Sequence, residues 1–139
     1  MITAFVYGTL RRGEANDIGL AAARHGIEAP VLLGSATVRG TLYDFGAYPG
    51  LLPDANGTAV VGDVYRIEAA LVPVLDEIEA VYPGQEGLFL RRQVVLDVRT
   101  QDGSLTLDCL YYPVAAASVA GLLAIAGGDW VAHRRMRAA

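Results

Sequence analysis

Hydrophobic residues fall along this chain in short runs and alternations, most of them with strand spacing. Residues 2–7, Ile-Thr-Ala-Phe-Val-Tyr, make a compact apolar and β-branched run closed by Gly8, which predicts a buried first strand. Residues 14–25 are rich in alanine and leucine and predict a helix, with His25 capping its end. A strand pair is expected next, over 31–38 and 40–43. Residues 44–57 carry glycines, Pro49, Pro53 and Asn56-Gly57, so they read as a loop of tight turns. Residues 58–67 predict another strand and 69–82 a helix, in which Pro73 is tolerable only in the first turn and Pro83-Gly84 is the stop. A strand over 89–100 places Val94, Leu96 and Val98 on one face. Asp102-Gly103 then marks a hairpin turn, and the return strand alternates Leu105, Leu107, Cys109 and Tyr111. A short helix over 116–126 is expected before Gly127-Gly128-Asp129-Trp130, with Trp130 closing the core. No repeat, low-complexity tract or change of composition marks a linker, so residues 1–139 are expected to form a single domain. The elements suit a barrel or curved sheet with two or three helices. Without regular strand–helix–strand alternation, a doubly wound fold is disfavoured.

Composition narrows the chemistry. Of 139 residues, 53% are hydrophobic and 19% charged, enough apolar material for a sizeable core and incompatible with a disordered chain. All eleven cations are arginine, which removes a lysine Schiff base and the lysine of a phosphate-binding P-loop from consideration. A net charge of −4 argues against a general nucleic-acid binder, and the run His133-Arg134-Arg135-Met136-Arg137 reads as a solvated tail. The lone Cys109 cannot pair within the chain and suits a small core position. Together with only His25 and His133 it makes no zinc set, so neither metal nor cofactor is expected. Ser35, Ser104 and Ser118 have no serine-hydrolase context. No leader is visible at the start, and the apolar stretch 114–126 is too short and too broken to span a bilayer. A reduced, cytoplasmic chain is expected, as monomer or homodimer, with no membrane partner.

Two features can carry chemistry. On the helix over 69–82, Leu71, Leu75, Ile78 and Tyr82 share a narrow stripe, while Asp76 and Glu77 point away as solvated carboxylates. Glu79 falls on the flank of the stripe, beside Val72. There its tip can reach water, or it can face a cavity where desolvation would raise its pKa and suit it to proton transfer. Helical geometry leaves both open. The second feature is Tyr7-Gly8-Thr9-Leu10-Arg11-Arg12-Gly13, where the first strand meets a glycine. It reads either as an anion nest of backbone N–H groups or as an ordinary strand end and turn.

Taken in order, six segments resemble the γ-glutamylcyclotransferase-like family, in its short bacterial and γ-glutamylamine cyclotransferase-like branch. Tyr7-Gly8-Thr9-Leu10 with Arg11-Arg12-Gly13 resembles the opening Y-G-[ST]-L-R-x-G, and Gly40-Thr41-Leu42-Tyr43-Asp44 with Tyr48-Pro49 resembles G-x-L-Y-D and the following Y-P. Val61-Gly62-Asp63-Val64-Tyr65 is similar to V-x-G-E-[VL]-[YW], and Leu75-Asp76-Glu77-Ile78-Glu79 to L-D-x-[LI]-E, whose last glutamate is the family's acid/base. Leu110-Tyr111-Tyr112 and Gly128-Asp129-Trp130 resemble the closing strand and the G-D-W ending. Each motif is weak alone; in register they are specific. Three positions depart from the pattern: Ala80 stands for a glycine, Asp63 for a glutamate, and Phe89 of Phe89-Leu90-Arg91 lacks the hydroxyl of the usual Y-x-R.

The resemblance implies an α+β fold, a small mixed β-barrel with flanking helices, and a cavity between the Tyr7–Leu10 loop and the Glu79 helix. It implies that the α-amino group of a γ-glutamyl compound attacks its own γ-carbonyl, giving 5-oxoproline and a free amine or amino acid. Glu79 would be the general acid/base, and Tyr7, Gly8, Thr9 and Leu10 would bind the small-molecule substrate through backbone N–H groups, on its α-carboxylate or the developing oxyanion. The turn chemistry of residues 44–57, rather than the resemblance, makes them the expected rim over that cavity. Two other readings stand beside this one. In the first, a binding protein keeps the cavity without turnover; in the second, a biosynthetic enzyme removes a γ-glutamyl group.

Overall fold

In strand β1 (Ile2–Val6) successive side chains point to opposite sides, and both sides are buried. Phe5, with Tyr7 just beyond the strand, joins one apolar cluster, and Ala4 and Val6 join another. A strand buried on both faces needs sheet wrapped around one side and helices on the other. The computed structural model supplies both, describing residues 2–14, 16–46, 48–79 and 91–138, the side chains of 137 and 138 excepted. After β1 come α1 (Ile18–Arg24), β2 (Val31–Asp44), β3 (Pro49–Pro53) and β4 (Thr58–Ile67). A 3-10 turn, Ala69–Leu71, leads into α2 (Val72–Ile78), and β5 (Arg92–Thr100) and β6 (Gly103–Tyr111) form a hairpin. A second 3-10 turn (Ala116–Val119), β7 (Ala124–Ile125) and α3 (Trp130–Ala138) complete the order.

Five strands close a ring in the order β2-β4-β1-β6-β5, and β5 returns to β2 where Ser35 pairs with Arg99. The pairs are antiparallel except β1 with β6, parallel at Ala4 and Leu110, so the barrel is mixed as the resemblance implied. Closure depends on Gly34, which follows a register shift in β2. A side chain there would start 1.8 Å from the Arg99 carbonyl oxygen, so only glycine lets the two strands meet. The ring encloses Phe5, Val38, Val60, Val64, Val98, Cys109 and Trp130, while α1, the first 3-10 turn and α2 pack Ile18, Ala22, Leu71 and Leu75 against its outer face.

Several elements differ from expectation. The strand pair over 31–38 and 40–43 is one fourteen-residue strand, β2, which pairs with β4 along one part and with β3 and β7 along another. Inside the expected loop 44–57 lies β3, an edge strand; Pro49 and Pro53 fit there because an edge leaves some N–H groups unneeded. The first helix begins at Ile18 rather than residue 14, because Asp17 caps it by accepting from the Gly19 N–H. His25 is its C-cap, as expected. The helix over 116–126 is replaced by a 3-10 turn and β7, since Ile125 is buried against the barrel and its backbone pairs with Leu42. The expected tail at 133–137 belongs to α3: Arg134 forms a two-pronged ion pair with buried Glu14 (2.8 and 2.7 Å), and His133 bonds Asp44 (2.8 Å). Leu105 shares the face of Cys109 but is exposed, near the tip of the β5–β6 hairpin. The expected positions of Tyr82, Pro83-Gly84, Phe89 and Leu90 lie outside the described residues, as does Ala80.

Candidate functional site

Helix α2 runs for seven residues, Val72–Ile78. Pro73 sits in the first turn, where its missing N–H costs nothing, and Leu71 and Leu75 anchor one face in the core. The helix ends at Ile78, so Glu79 is its C-cap, with its N–H donating to the Leu75 carbonyl at 2.9 Å. Glu79 therefore does not ride on a continuing helix, as the span 69–82 implied. The last turn swings it toward β1. It is partly buried, and desolvation pushes its carboxyl from the ordinary 4.5 up to about 7. The partial negative charge at a helix C-terminus acts in the same direction. Of the two readings left open by helical geometry, the cavity is the one observed.

That cavity is a cleft of about 320 Å³, measured out to its open mouth. Tyr7, Gly8, Thr9 and Leu10 line it, and so does Glu79. Tyr48, Pro49 and Tyr112 complete the lining, over a floor that includes Phe5 and Val6. The loop is held by its own carbonyls: those of Gly8, Thr9 and Leu10 accept from the N–H groups of Arg11, Asn16 and Ile18 at 2.9 to 3.0 Å. The Thr9 hydroxyl accepts from Asn16 Nδ2 at 3.1 Å. Gly8 is required for a steric reason, since a Cβ there would lie 2.6 Å from Pro49 Cγ. Its absence lets the rim close down on the loop.

Tyr7 and Tyr112 form the base of the site. The Tyr7 hydroxyl donates to the Tyr112 carbonyl (2.7 Å) and accepts from the Leu51 N–H (3.1 Å), tying β3 to the end of β6 beneath the cleft. The Tyr112 hydroxyl donates to Asp76 Oδ1 at 2.6 Å, and Arg91 Nη1 holds Asp76 Oδ2 at 2.6 Å. Burial, followed by the Glu79 charge, raises the pKa of Tyr7. Burial, the Asp76 bond and charge, and then Glu79 raise that of Tyr112. Both phenols stay neutral near the glutamate. Asp76 is thus no solvated carboxylate. It points away from the helix stripe but meets Tyr112 and Arg91, neighbours that helix geometry alone could not supply.

The remaining motifs buttress the loop. Arg11 reaches Asp63 (Nε to Oδ2, 3.3 Å) and Asp129 (Nη1 to Oδ1, 3.2 Å), linking the first, third and last of the sequence motifs. Asp129 also accepts from the Ala132 N–H, starting α3, while Trp130 is fully buried in the barrel. On the rim, Phe45 and Tyr48 stack with ring centroids 5.4 Å apart. Tyr48, Pro49, Tyr112 and Asp76 are not among the expected site residues; their signal in the sequence is membership of the Y-P, Tyr111-Tyr112 and Leu75-Asp76-Glu77-Ile78-Glu79 segments. Among the described residues no group of three or more His, Cys, Asp or Glu side chains is placed to hold a metal. No helix among them is long and apolar enough to cross a membrane.

Comparison with known proteins gives the geometry a context. Residues 4–132 match the family model described as gamma-glutamyl cyclotransferase, AIG2-like. A Niallia circulans protein named gamma-L-glutamyl-butirosin B gamma-glutamyl cyclotransferase is 37% identical over 86 residues, which cover 60% of this chain and 50% of that protein. The chain thus spans about half the length of that relative. A Halalkalibacterium halodurans protein, provisionally named a gamma-glutamylcyclotransferase, is 37% identical over 95 residues, covering 68% of this chain and 80% of its own. Among solved structures, a mouse AIG2-like protein (GGACT) superposes with a TM-score of 0.70 at 23% identity, over 93% of this chain and 88% of that one. That likeness establishes the fold. With the match running through nearly every described element, this chain belongs to the gamma-glutamyl cyclotransferase, AIG2-like family.

Proposed function

We propose that residues 1–139 act as one unit that cyclises a γ-glutamyl amine or γ-glutamyl amino acid to 5-oxoproline, with Glu79 as the general acid/base. The observation that carries the reading is Glu79 itself, a half-sheltered carboxyl with its pKa near neutrality, lining the same cleft as the Tyr7–Leu10 loop. In this reading the loop's N–H groups bind the substrate's α-carboxylate, and the cleft bends the γ-carbonyl toward the α-nitrogen. The Glu79 carboxylate takes a proton from the α-ammonium. The freed lone pair forms the bond to the γ-carbonyl carbon, and the carbonyl electrons move onto oxygen. As they return, the bond to the leaving nitrogen breaks and the Glu79 carboxyl gives that nitrogen its proton. The Glu79 carboxylate then takes the second proton from the ring nitrogen, which is left as the lactam N–H, and passes it to the released amine, which departs as an ammonium. The nucleophile belongs to the substrate, so the steps ask for no enzymic serine or cysteine. A pKa near 7 serves both halves, because the group must be a base first and an acid afterwards.

The name of the Niallia relative favours a variant of this reading, in which the departing amine is part of a larger biosynthetic product. The cleft is open to solvent, which leaves room for such a leaving group. The test is 5-oxoproline release by purified protein from a panel of γ-glutamyl compounds, running from single amino acids to amides of bulky amines, with Glu79→Gln in parallel. General acid–base roles are worth roughly 10²- to 10⁴-fold, and the variant is expected to lose at least the lower figure. Release unchanged in Glu79→Gln would refute the assignment. Binding without release across the panel would favour the reading without turnover.

A further inference from the structure

The Tyr112 hydroxyl has a bonding pattern that the steps above leave unused. Its hydrogen is given to Asp76 Oδ1 at 2.6 Å. Asp76 cannot return one, because an ionised carboxylate only accepts. Arg91 binds the other Asp76 oxygen, also at 2.6 Å, which fixes the orientation of the carboxylate. With its hydrogen spent, the phenol keeps only lone pairs to offer. Tyr112 is buried and lines the same cleft as Glu79, the proposed base. Tyr7 makes a useful contrast. Its hydroxyl both donates to and accepts from the backbone, so its bonding serves the fold.

We propose that Tyr112 is a substrate-binding residue whose oxygen accepts a hydrogen bond from the α-nitrogen of the ligand, and that Asp76, braced by Arg91, is the positioning residue that keeps it an acceptor. The inference rests on the cyclotransferase reading, in which the α-nitrogen has to lie beside Glu79. Cyclisation makes that same nitrogen the ring N–H of 5-oxoproline, so product and substrate present a donor at one place. Asp76 has a second effect by the same geometry. A Tyr112 hydroxyl without it would be free to donate toward Glu79, occupying the base and stabilising its charged form.

The experiment compares the calorimetric binding of 5-oxoproline with that of 3-oxocyclopentane-1-carboxylate, in which a methylene replaces the ring N–H. The unmodified protein is expected to prefer 5-oxoproline by about tenfold, the scale of one buried hydrogen bond. Tyr112→Phe, which removes a single oxygen atom, and Asp76→Ala should each bring the two ligands to within about twofold. Asp76→Asn, whose amide oxygen still accepts from Tyr112, should keep most of the preference. A merely structural role for Asp76 would weaken both ligands alike and leave their ratio intact. Equal binding in the unmodified protein, binding of neither compound, or a preference that survives Tyr112→Phe would overturn the acceptor role. A preference that survives Asp76→Ala would overturn the positioning role. Release of 5-oxoproline from γ-glutamyl substrates, measured on the same unmodified protein, reports separately on the cyclotransferase reading.

Discussion

At the residue scale the molecule bears a cost at Glu79. The folded state holds that carboxyl with a pKa of about 7, against an ordinary 4.5. Between those values the folded chain keeps a proton that the unfolded chain has shed, so stability contributed by this group is full below about 4.5 and is lost as pH rises through about 7. The loss is up to about 3 kcal/mol, since each pKa unit is worth about 1.4 kcal/mol. Glutamine has the shape of the protonated acid and cannot ionise. Glu79→Gln is therefore expected to melt at nearly the same temperature as the parent at pH 4.5 and several degrees higher at pH 8. Thermal melts across that range check it, and a constant difference between the two proteins would contradict the shift. A site that ionises only at such a cost is a familiar trade of stability for reactivity.

At the element scale, short segments are fixed by caps and contacts more than by propensity. Asp17 stops the chain from continuing upstream as helix by holding the N–H groups of Gly13 and Gly19, at 2.7 and 2.8 Å. Asp17→Ala should cost about 1 kcal/mol, read as a lower denaturation midpoint at unchanged slope. Because α1 packs behind the Tyr7–Leu10 loop, with the Ile18 N–H bonded to the Leu10 carbonyl, the same variant should raise KM more than it lowers kcat. The elements that could be read from sequence are those whose pattern is local. The alternation of Val94, Leu96 and Val98, the Asp102-Gly103 turn and the run ending at Gly8 all became what they predicted. β3 and β7 could not be read, because each is a strand only by virtue of the β2 edge beside it. Helix α3 does leave a signal, an aspartate cap ahead of an apolar residue in Asp129-Trp130, but its basic run reads more simply as a tail, because the partners of Arg134 and His133, Glu14 and Asp44, are distant in the chain.

At the scale of the whole molecule, the barrel's work is to bring distant segments to one cleft and keep water from half of it. Glu79 and the Tyr7–Leu10 loop were nameable from sequence through the family resemblance, whereas the Asp76–Tyr112 bond joins residues 36 apart in the chain and is visible only once the barrel is closed. Closure is testable at Gly34: a methyl group there would meet the Arg99 carbonyl, so Gly34→Ala should cost about 3 kcal/mol or more, seen as a lowered melting temperature. A loss of under about 0.5 kcal/mol would contradict the tight β2–β5 crossing. Burial in the cleft is what raises the pKa of Glu79, and every step proposed for the reaction depends on it. The most direct measurement is an NMR titration of the Glu79 side-chain carboxyl carbon in the ligand-free protein. A midpoint near 7 is expected. A midpoint at the ordinary value of 4.5 would mean a carboxyl bathed in solvent, and would contradict it.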